Sequence, residues 1–286
     1  MSIRRRTLIA AAPALVAAHA WAAPRIPEFL ARYERASGGR IGVFAENLAT
    51  GARFAWRSDE RFVMCSTFKA SLAALVLQRV DHGADRLDER LRYGKADLQP
   101  YAPAARTSLA RGWMTVGEMC QGAVELSDNT CANLLLARVG GPAALTAFWR
   151  SAGDRVTRLD HNEPMLNRSP PGDPHDTTTP AAMAQDMRRF VVDNVLSPAS
   201  RNRLKGWMVD CRTGKDLVRA ALPGGWTVGD KTGNNGIDAR GDLVVAWPAP
   251  DRPIIAAVYV QGGKPAGAHQ VAAFQGVGRL IAASLA

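Results

Sequence analysis

No uninterrupted apolar run in this chain of 286 residues reaches the roughly 20 that a membrane-spanning helix needs, which excludes a multi-pass membrane protein. Cysteine is scarce: Cys65, Cys120, Cys131 and Cys211 are the only four, and their spacing suggests no pairing. A core of this size can hold a fold without disulfide staples, so buried free thiols are expected. Neither Cys-x-x-Cys nor His-x-x-x-His occurs, and His19, His82, His161, His175 and His269 lie far apart. A catalytic zinc site is therefore not expected, and no cofactor is called for. Internal repeats and low-complexity tracts are absent too. What remains is a globular composition, 47% hydrophobic, long enough for one large domain or two interleaved ones. Collagenous, disordered and mini-protein classes are out.

Acidic residues are missing before Glu28, where the chain instead runs Arg4-Arg5-Arg6, an apolar stretch from Leu8 to Ala18, then Ala18-His19-Ala20 and Ala20-Trp21-Ala22. This is the pattern of a secretory signal with small-residue cleavage sites, residues 1–23, and the arginines are compatible with twin-arginine export. A periplasmic or secreted protein starting near Ala23 is expected. Loss of three arginines takes the net charge from +10 to +7. The remaining basic residues are scattered, so no nucleic-acid partner is expected, and no membrane association once the signal is removed. Lysine is scarce as well: only Lys69, Lys95, Lys205, Lys215, Lys231 and Lys264 occur among the 36 basic residues, so motifs that require it are hard to meet by accident.

Short alternating runs, Arg40-Ile-Gly-Val-Phe-Ala-Glu46 and Arg53-Phe-Ala-Trp-Arg57, flank Asn47-Leu-Ala-Thr-Gly51 and predict a β-hairpin. From Ser66 to about Arg203 the pattern turns helical, with segments over Phe68–Val80, Val116–Leu126, Thr130–Val139, Ala143–Ala152 and Pro180–Val192. Strands return at 226–231, 242–247 and 253–260, before an amphipathic helix from about His269 to Leu285. Strands at both ends with helices between imply an α/β fold: an antiparallel sheet assembled from the two termini, with flanking helices and an all-α insertion. The expected division is an α/β lobe from residues 24–62 and 207–286 and an all-α lobe over 63–206, the latter including a loop at 158–176. A cleft between the lobes is where chemistry is expected.

Ser66-Thr67-Phe68-Lys69 opens the first long helix, where a spacing of three sets the ammonium one turn from the hydroxyl. A chain of this length holds about one Ser-x-x-Lys by chance, so this tetrapeptide alone decides little. Three further motifs do: Ser127-Asp128-Asn129 between two helices, Glu163-Pro-Met-Leu-Asn167 in the Pro/Gly-rich loop, and Lys231-Thr232-Gly233 ending a strand. Each is expected by chance at only about 0.05 per chain, and they occur here in order and in matching structural context. A serine nucleophile needs a base; Lys69 serves if its pKa falls far below ~10.4, which a second cation, Lys231, favours. Glu163 acting through a water is the alternative, and both stay open.

With these motifs the chain resembles the class A serine β-lactamases over nearly its whole length after the leader, including Pro171-Gly-Asp-Pro-His-Asp-Thr-Thr-Thr-Pro180 and Leu222-Pro-Gly-Gly-Trp-Thr-Val-Gly-Asp-Lys231. The resemblance implies a two-lobed fold, a monomer, β-lactam antibiotics as substrates, and hydrolysis through a Ser66 acyl-enzyme deacylated by a water that Glu163 activates and Asn167 helps hold. It assigns leaving-group protonation to Ser127 beside Lys231, and the oxyanion to the backbone N–H groups of Ser66 and Asn234. Substrate carboxylate is expected at Lys231, Thr232 and Arg240, the acylamide at Asn129, Tyr101 at the cleft mouth, and Gly233 among the residues that contact the substrate. Penicillin-binding peptidases share the serine and lysine motifs but lack such a glutamate; a receptor that acylates and stalls is the other alternative.

Departures from the family pattern carry expectations too. The usual disulfide partner of Cys120 is Ala73, and the cysteine pair of carbapenem-active members is closed off because Cys65 faces Asn235, so carbapenem activity is not expected. Asn234 and Asn235 stand where small residues are common, which puts the oxyanion side in question. At the loop neck His161 replaces the usual arginine and is expected to meet Asp176.

Overall fold

The computed structural model describes residues 26–168, 170 and 172–286; the expected signal at 1–23 lies outside the described residues. In chain order come α1 (Glu28–Ser37), β1 (Arg40–Asn47), β2 (Arg53–Trp56), β3 (Phe62–Val63), α2 (Phe68–Asp81), β4 (Arg90–Arg92) and α3 (Pro103–Thr107). Next are β5 (Trp113–Thr115), α4 (Val116–Glu125), α5 (Asn129–Val139), α6 (Pro142–Ser151), β6 (Thr177–Thr178), α7 (Pro180–Val191) and α8 (Pro198–Val209). The chain closes with β7 (Thr227–Asn234), β8 (Arg240–Trp247), β9 (Ile254–Gln261) and α9 (Gly267–Ser284).

The main sheet is five-stranded in the order β2-β1-β9-β8-β7, antiparallel throughout, so residues from both ends of the chain build it as the pattern implied. Both of its faces are covered, which is why β8 and β9 read as continuous apolar runs rather than as alternation. Within β9, Ile254, Ala256, Val258 and Val260 face one core with Leu30 and Tyr33 of α1 and Phe274, Val277 and Ile281 of α9. Ile255, Ala257 and Tyr259 face the opposite way, into the core shared with the helical insertion.

At the centre of that second core runs α2, buried at every position from Phe68 to Leu77. A helix apolar on all sides belongs inside. Its first turn and the residues just before it therefore present Lys69 and Ser66 from an enclosed base, with β7 of the sheet beside them. Close approach is enforced at Gly233, where a Cβ would lie 2.8 Å from the Cys65 Cβ and 2.9 Å from the Ser66 backbone nitrogen.

Two departures from expectation concern short or weakly patterned pieces. The stretch expected to be all helical also carries two ladders, β3 with β6 and β4 with β5, whose two- and three-residue strands are too short to show alternation. Helices α1, the five-residue α3 and α8 were not among the helices read from the pattern, and α8 spans the expected boundary at residue 206. Gly206 and few buried positions blur its signal, whereas α1 shows one: Leu30, Tyr33 and Ser37 recur on its buried side and Gly38 caps it in the left-handed conformation.

Candidate active site

Ser66 lies in a short 3₁₀ segment, Cys65–Thr67, leading into α2. Cys65 holds φ +46°, a conformation side chains rarely adopt, and the same is true of Ser127 (φ +58°) and Asp176 (φ +54°). These three sit at the turn that carries Ser66, at the link between α4 and α5, and at the loop neck. Strain of this kind persists only where the surroundings over-determine it. Asp128 supplies part of that constraint, capping α5 through Cys131 N (2.8 Å) and accepting from Ala105 N (2.9 Å).

Lys69, 58 residues before Ser127 and 94 before Glu163 in sequence, is wholly buried against both. Its Nζ donates to Ser66 Oγ (2.8 Å), Ser127 O (2.9 Å) and Asn129 Oδ1 (2.5 Å) and lies 3.0 Å from Glu163 Oε1. Ser66 Oγ in turn donates to Glu163 Oε1 at 2.8 Å. Burial drives the Lys69 pKa below that of an ordinary lysine, against the pull of the Glu163 charge. For Glu163, burial acts to raise the carboxyl, but the Lys69 charge and hydrogen bonds from Ser66, Lys69 and Asn167 outweigh it and hold the group below its usual value. Both shifts ease loss of a proton, from the lysine through burial and from the glutamate through the Lys69 charge and its hydrogen bonds.

Glu163 is fixed from both ends. Asn167 Nδ2 donates to its Oε2 (2.7 Å), as the loop motif suggested. Asn133, a residue not singled out in the sequence, clamps its backbone: Nδ2 donates to Glu163 O (2.9 Å) and Oδ1 accepts from Glu163 N (3.0 Å). The signal was present, since Asn133 lies one turn after Asn129 in α5, a polar pair at i, i+4 on one side of the helix.

Lys231 reaches the opposite side of Ser127, donating to its Oγ (3.1 Å) and to Thr232 O (2.6 Å). Burial lowers its pKa to about 8, and the nearby Lys69 charge adds to that. Ser127 Oγ is therefore flanked by two buried cations. An open cleft of about 440 Å³ lies over the group, lined among others by Ser66, Ser127, Asn129, Glu163, Asn167 and Thr232. Gly233, Asn234 and Arg240 line its sheet side, and Tyr101, half exposed, stands at its rim. All the residues picked out from the motifs, apart from the two buried lysines beneath, thus border one cavity. Thr213, which the sequence did not flag, also lines it, with its hydroxyl 2.6 Å from that of Thr232, and Arg240 Nη2 has Asp216 at 3.7 Å.

The paired asparagines have a local explanation. Asn235 Oδ1 accepts from the N–H groups of Ile237, Asp238 and Ala239 (2.9, 3.0 and 2.9 Å), tying the turn between β7 and β8. Asn234 Oδ1 accepts from Gly236 N (2.7 Å), so its side chain is engaged with the turn.

At the neck of the loop His161 Nδ1 meets Asp176 Oδ2 at 2.6 Å, and Asp176 Oδ1 also accepts from the backbone N–H groups of Asp160 (2.8 Å) and His161 (3.0 Å). The hydrogen bond to Asp176 raises the imidazole pKa. The four cysteines are free and buried. Among the described residues no cluster of three or more His, Cys, Asp or Glu is arranged to hold a metal, and no single helix is long and apolar enough to cross a membrane.

Comparison with known proteins converges on one group. The model of the β-lactamase enzyme family matches residues 25–285. Among solved structures the chain is similar to an ancestral class A β-lactamase, at 54% identity over 89% of this chain and 97% of that one, with a TM-score of 0.85. It is also similar to a class A β-lactamase of the last common ancestor of Gram-negative bacteria (52% identity, 91% and 98% covered, TM-score 0.87). A β-lactamase from Xanthomonas campestris pv. campestris matches at 42% identity over 91% of this chain and 97% of that chain, with a TM-score of 0.87.

Proposed function

This chain belongs to the class A serine β-lactamases, enzymes that hydrolyse the β-lactam amide, and on that premise we propose that it acts through an acyl-enzyme on Ser66 cleared by a water that Glu163 activates. The observation that carries this reading is the position of Ser66 Oγ, 2.8 Å from both Lys69 Nζ and Glu163 Oε1. With lysine charged and glutamate ionised, the hydroxyl proton is directed at Glu163, while the ammonium donates to the oxygen on which negative charge grows during attack. Glu163 is thus the acylation base of the resting site. Lys69 is its reserve, because loss of the Glu163 charge removes what keeps the buried ammonium protonated.

As the carbonyl is attacked, the tetrahedral oxyanion is received by the backbone N–H groups of Ser66 and Asn234 on the two walls of the cleft. Ring opening requires a proton on the departing nitrogen. Ser127 supplies it and is reprotonated by Lys69, 3.5 Å from its Oγ. Lys69 recovers the Ser66 proton from Glu163 at 3.0 Å and so leaves Glu163 a carboxylate again, while Lys231 supports Ser127 from the other side. A water held by Glu163 and Asn167 then attacks the ester. Asn129, whose carbonyl oxygen is occupied by Lys69, offers its NH₂ group to the acylamide carbonyl, and the substrate carboxylate lies among Lys231, Thr232 and Arg240. The carboxylate against Ser66 favours this hydrolase over a penicillin-binding peptidase, whose pattern lacks such a glutamate, and over a receptor that acylates and stalls. Export rests on the leader pattern at residues 1–23.

Turnover of a chromogenic cephalosporin by the purified protein, followed by intact mass spectrometry, tests the mechanism. A transient mass increase that maps to Ser66 is expected. Turnover without any adduct on Ser66 in rapid-quench samples contradicts it. Export is checked by the N-terminus of protein recovered from the periplasm, expected near Ala23.

A further inference from the structure

Thr213 has no part in the chemistry described so far, yet its hydroxyl lies 2.6 Å from that of Thr232 and borders the same cleft. A single hydrogen occupies a contact of that length, so one hydroxyl proton of the pair is spent between the two oxygens and the other is free. Which one is free decides whether Thr232 can donate into the cleft.

Several features bear on that choice. Thr213 Oγ1 has a second neighbour, Cys211 Sγ at 3.3 Å, buried beneath it. Sulfur is a weak acceptor, so the Thr213 proton is better used on the Thr232 oxygen than on the thiol. The segment that carries Thr213 is held firmly: Arg212 N donates to Glu125 O (3.0 Å), and a Cβ at Gly214 would collide with the Asp230 carboxylate, which pins the chain against β7. In the cross-strand register Thr232 faces Asp242 and Asn234 faces Arg240, so Thr232 and Arg240 are diagonal neighbours on one face of β7 and β8. Lys231 already donates to Ser127 Oγ and Thr232 O, and Arg240 is partly drawn toward Asp216. The Thr232 proton is then an uncharged donor available beside these cations at this end of the cleft.

We propose that Thr213 is a positioning residue for recognition of the substrate carboxylate: it donates to Thr232 Oγ1 and so commits the Thr232 proton to the bound anion. The inference rests on the reading of this cleft as a β-lactam site. Donors in series polarise one another, so the hydroxyl pair binds an anion more strongly than Thr232 alone. Removing the Thr213 hydroxyl leaves the Thr232 oxygen without its donor.

Steady-state kinetics of wild type, Thr213→Val and Thr213→Ser on benzylpenicillin and on its methyl ester test this. For the acid, Thr213→Val is expected to raise KM about fivefold with kcat within about twofold, as for loss of binding shared by ground and transition states. The ester carries no anion and its KM should not move, while Thr213→Ser should restore the acid KM to within about twofold of wild type. A role in packing alone would shift acid and ester together. Equal factors for the two substrates, or an unchanged acid KM in Thr213→Val, overturn the proposal. Should the valine variant not fold, Thr213→Ala gives the same comparison. A wild-type enzyme that hydrolyses neither compound overturns the underlying reading of the cleft and this inference with it.

Discussion

One loop carries two cation–carboxylate contacts that differ sharply in setting. Lys69 and Glu163 stand 3.0 Å apart with neither side chain exposed, whereas His161 and Asp176 stand closer, at 2.6 Å, with the imidazole 52% exposed. The shorter contact is the weaker link. A half-exposed pair is worth about 0.2–1 kcal/mol, and this one depends on a group that titrates near neutrality. The buried pair carries a large desolvation cost, offset by hydrogen bonds from Ser66 and Asn167, and removal of either partner strands the other. Chemistry is thereby placed where geometry is over-determined, and adjustment where solvent can take part.

The firmest way to break this picture is Ser66→Ala, expected to lower hydrolysis on the order of 10³-fold or more with little change in Tm, because a small residue is replaced at a rigid helix start. Activity within tenfold of wild type would sink the assignment. Glu163→Ala should slow deacylation on the order of 10³-fold while Lys69 still permits acylation, so a penicillin adduct on Ser66 accumulates in intact mass spectra. If that adduct clears at the wild-type rate, the buried pair is not the deacylating centre. At the carboxylate end of the cleft Arg240→Ala should raise the KM of penicillins by about tenfold and lower kcat by less, since the anion is bound alike in ground and transition states. A loss confined to kcat would contradict that role.

The smallest effect belongs to the neck. The folded-state pKa of His161 lies above its unfolded ~6.5, so its stabilisation is complete below the unfolded value and lost as pH rises through the folded one. An arginine stays charged throughout. His161→Arg should therefore raise Tm more at pH 8 than at pH 5.5, by a difference of about 1–3 °C. Equal gains at both pH values, or an imidazole pKa by NMR at or below the unfolded value, would show that the neck is not latched by this charge.

Much of this molecule was legible before its fold was known, and the reasons are local. Ser66 and Lys69 share one helical turn, Glu163 and Asn167 share one short loop turn, and the apolar periods marked most of the strands and helices. Thr213 was missed because its partner Thr232 lies 19 residues away and no spacing rule joins them, while the i, i+4 pairing of Asn133 with Asn129 gave no hint that Asn133 would clamp Glu163, 30 residues on. The two short ladders escaped for a different reason, since a strand of two or three residues has no period to read.

The sequence by itself determined which groups are present, their local spacing, and the family whose chemistry they suit. Only the tertiary structure decided their states. It buries Lys69 against Glu163, sets Lys231 and Lys69 on either side of Ser127, seats Thr213 on Thr232, and leaves the His161 ring in solvent beside Asp176. Spacing along a chain fixes which side chains share a turn, but proton affinities and hydrogen-bond directions depend on desolvation and on charges brought close by long-range packing, which no local pattern records.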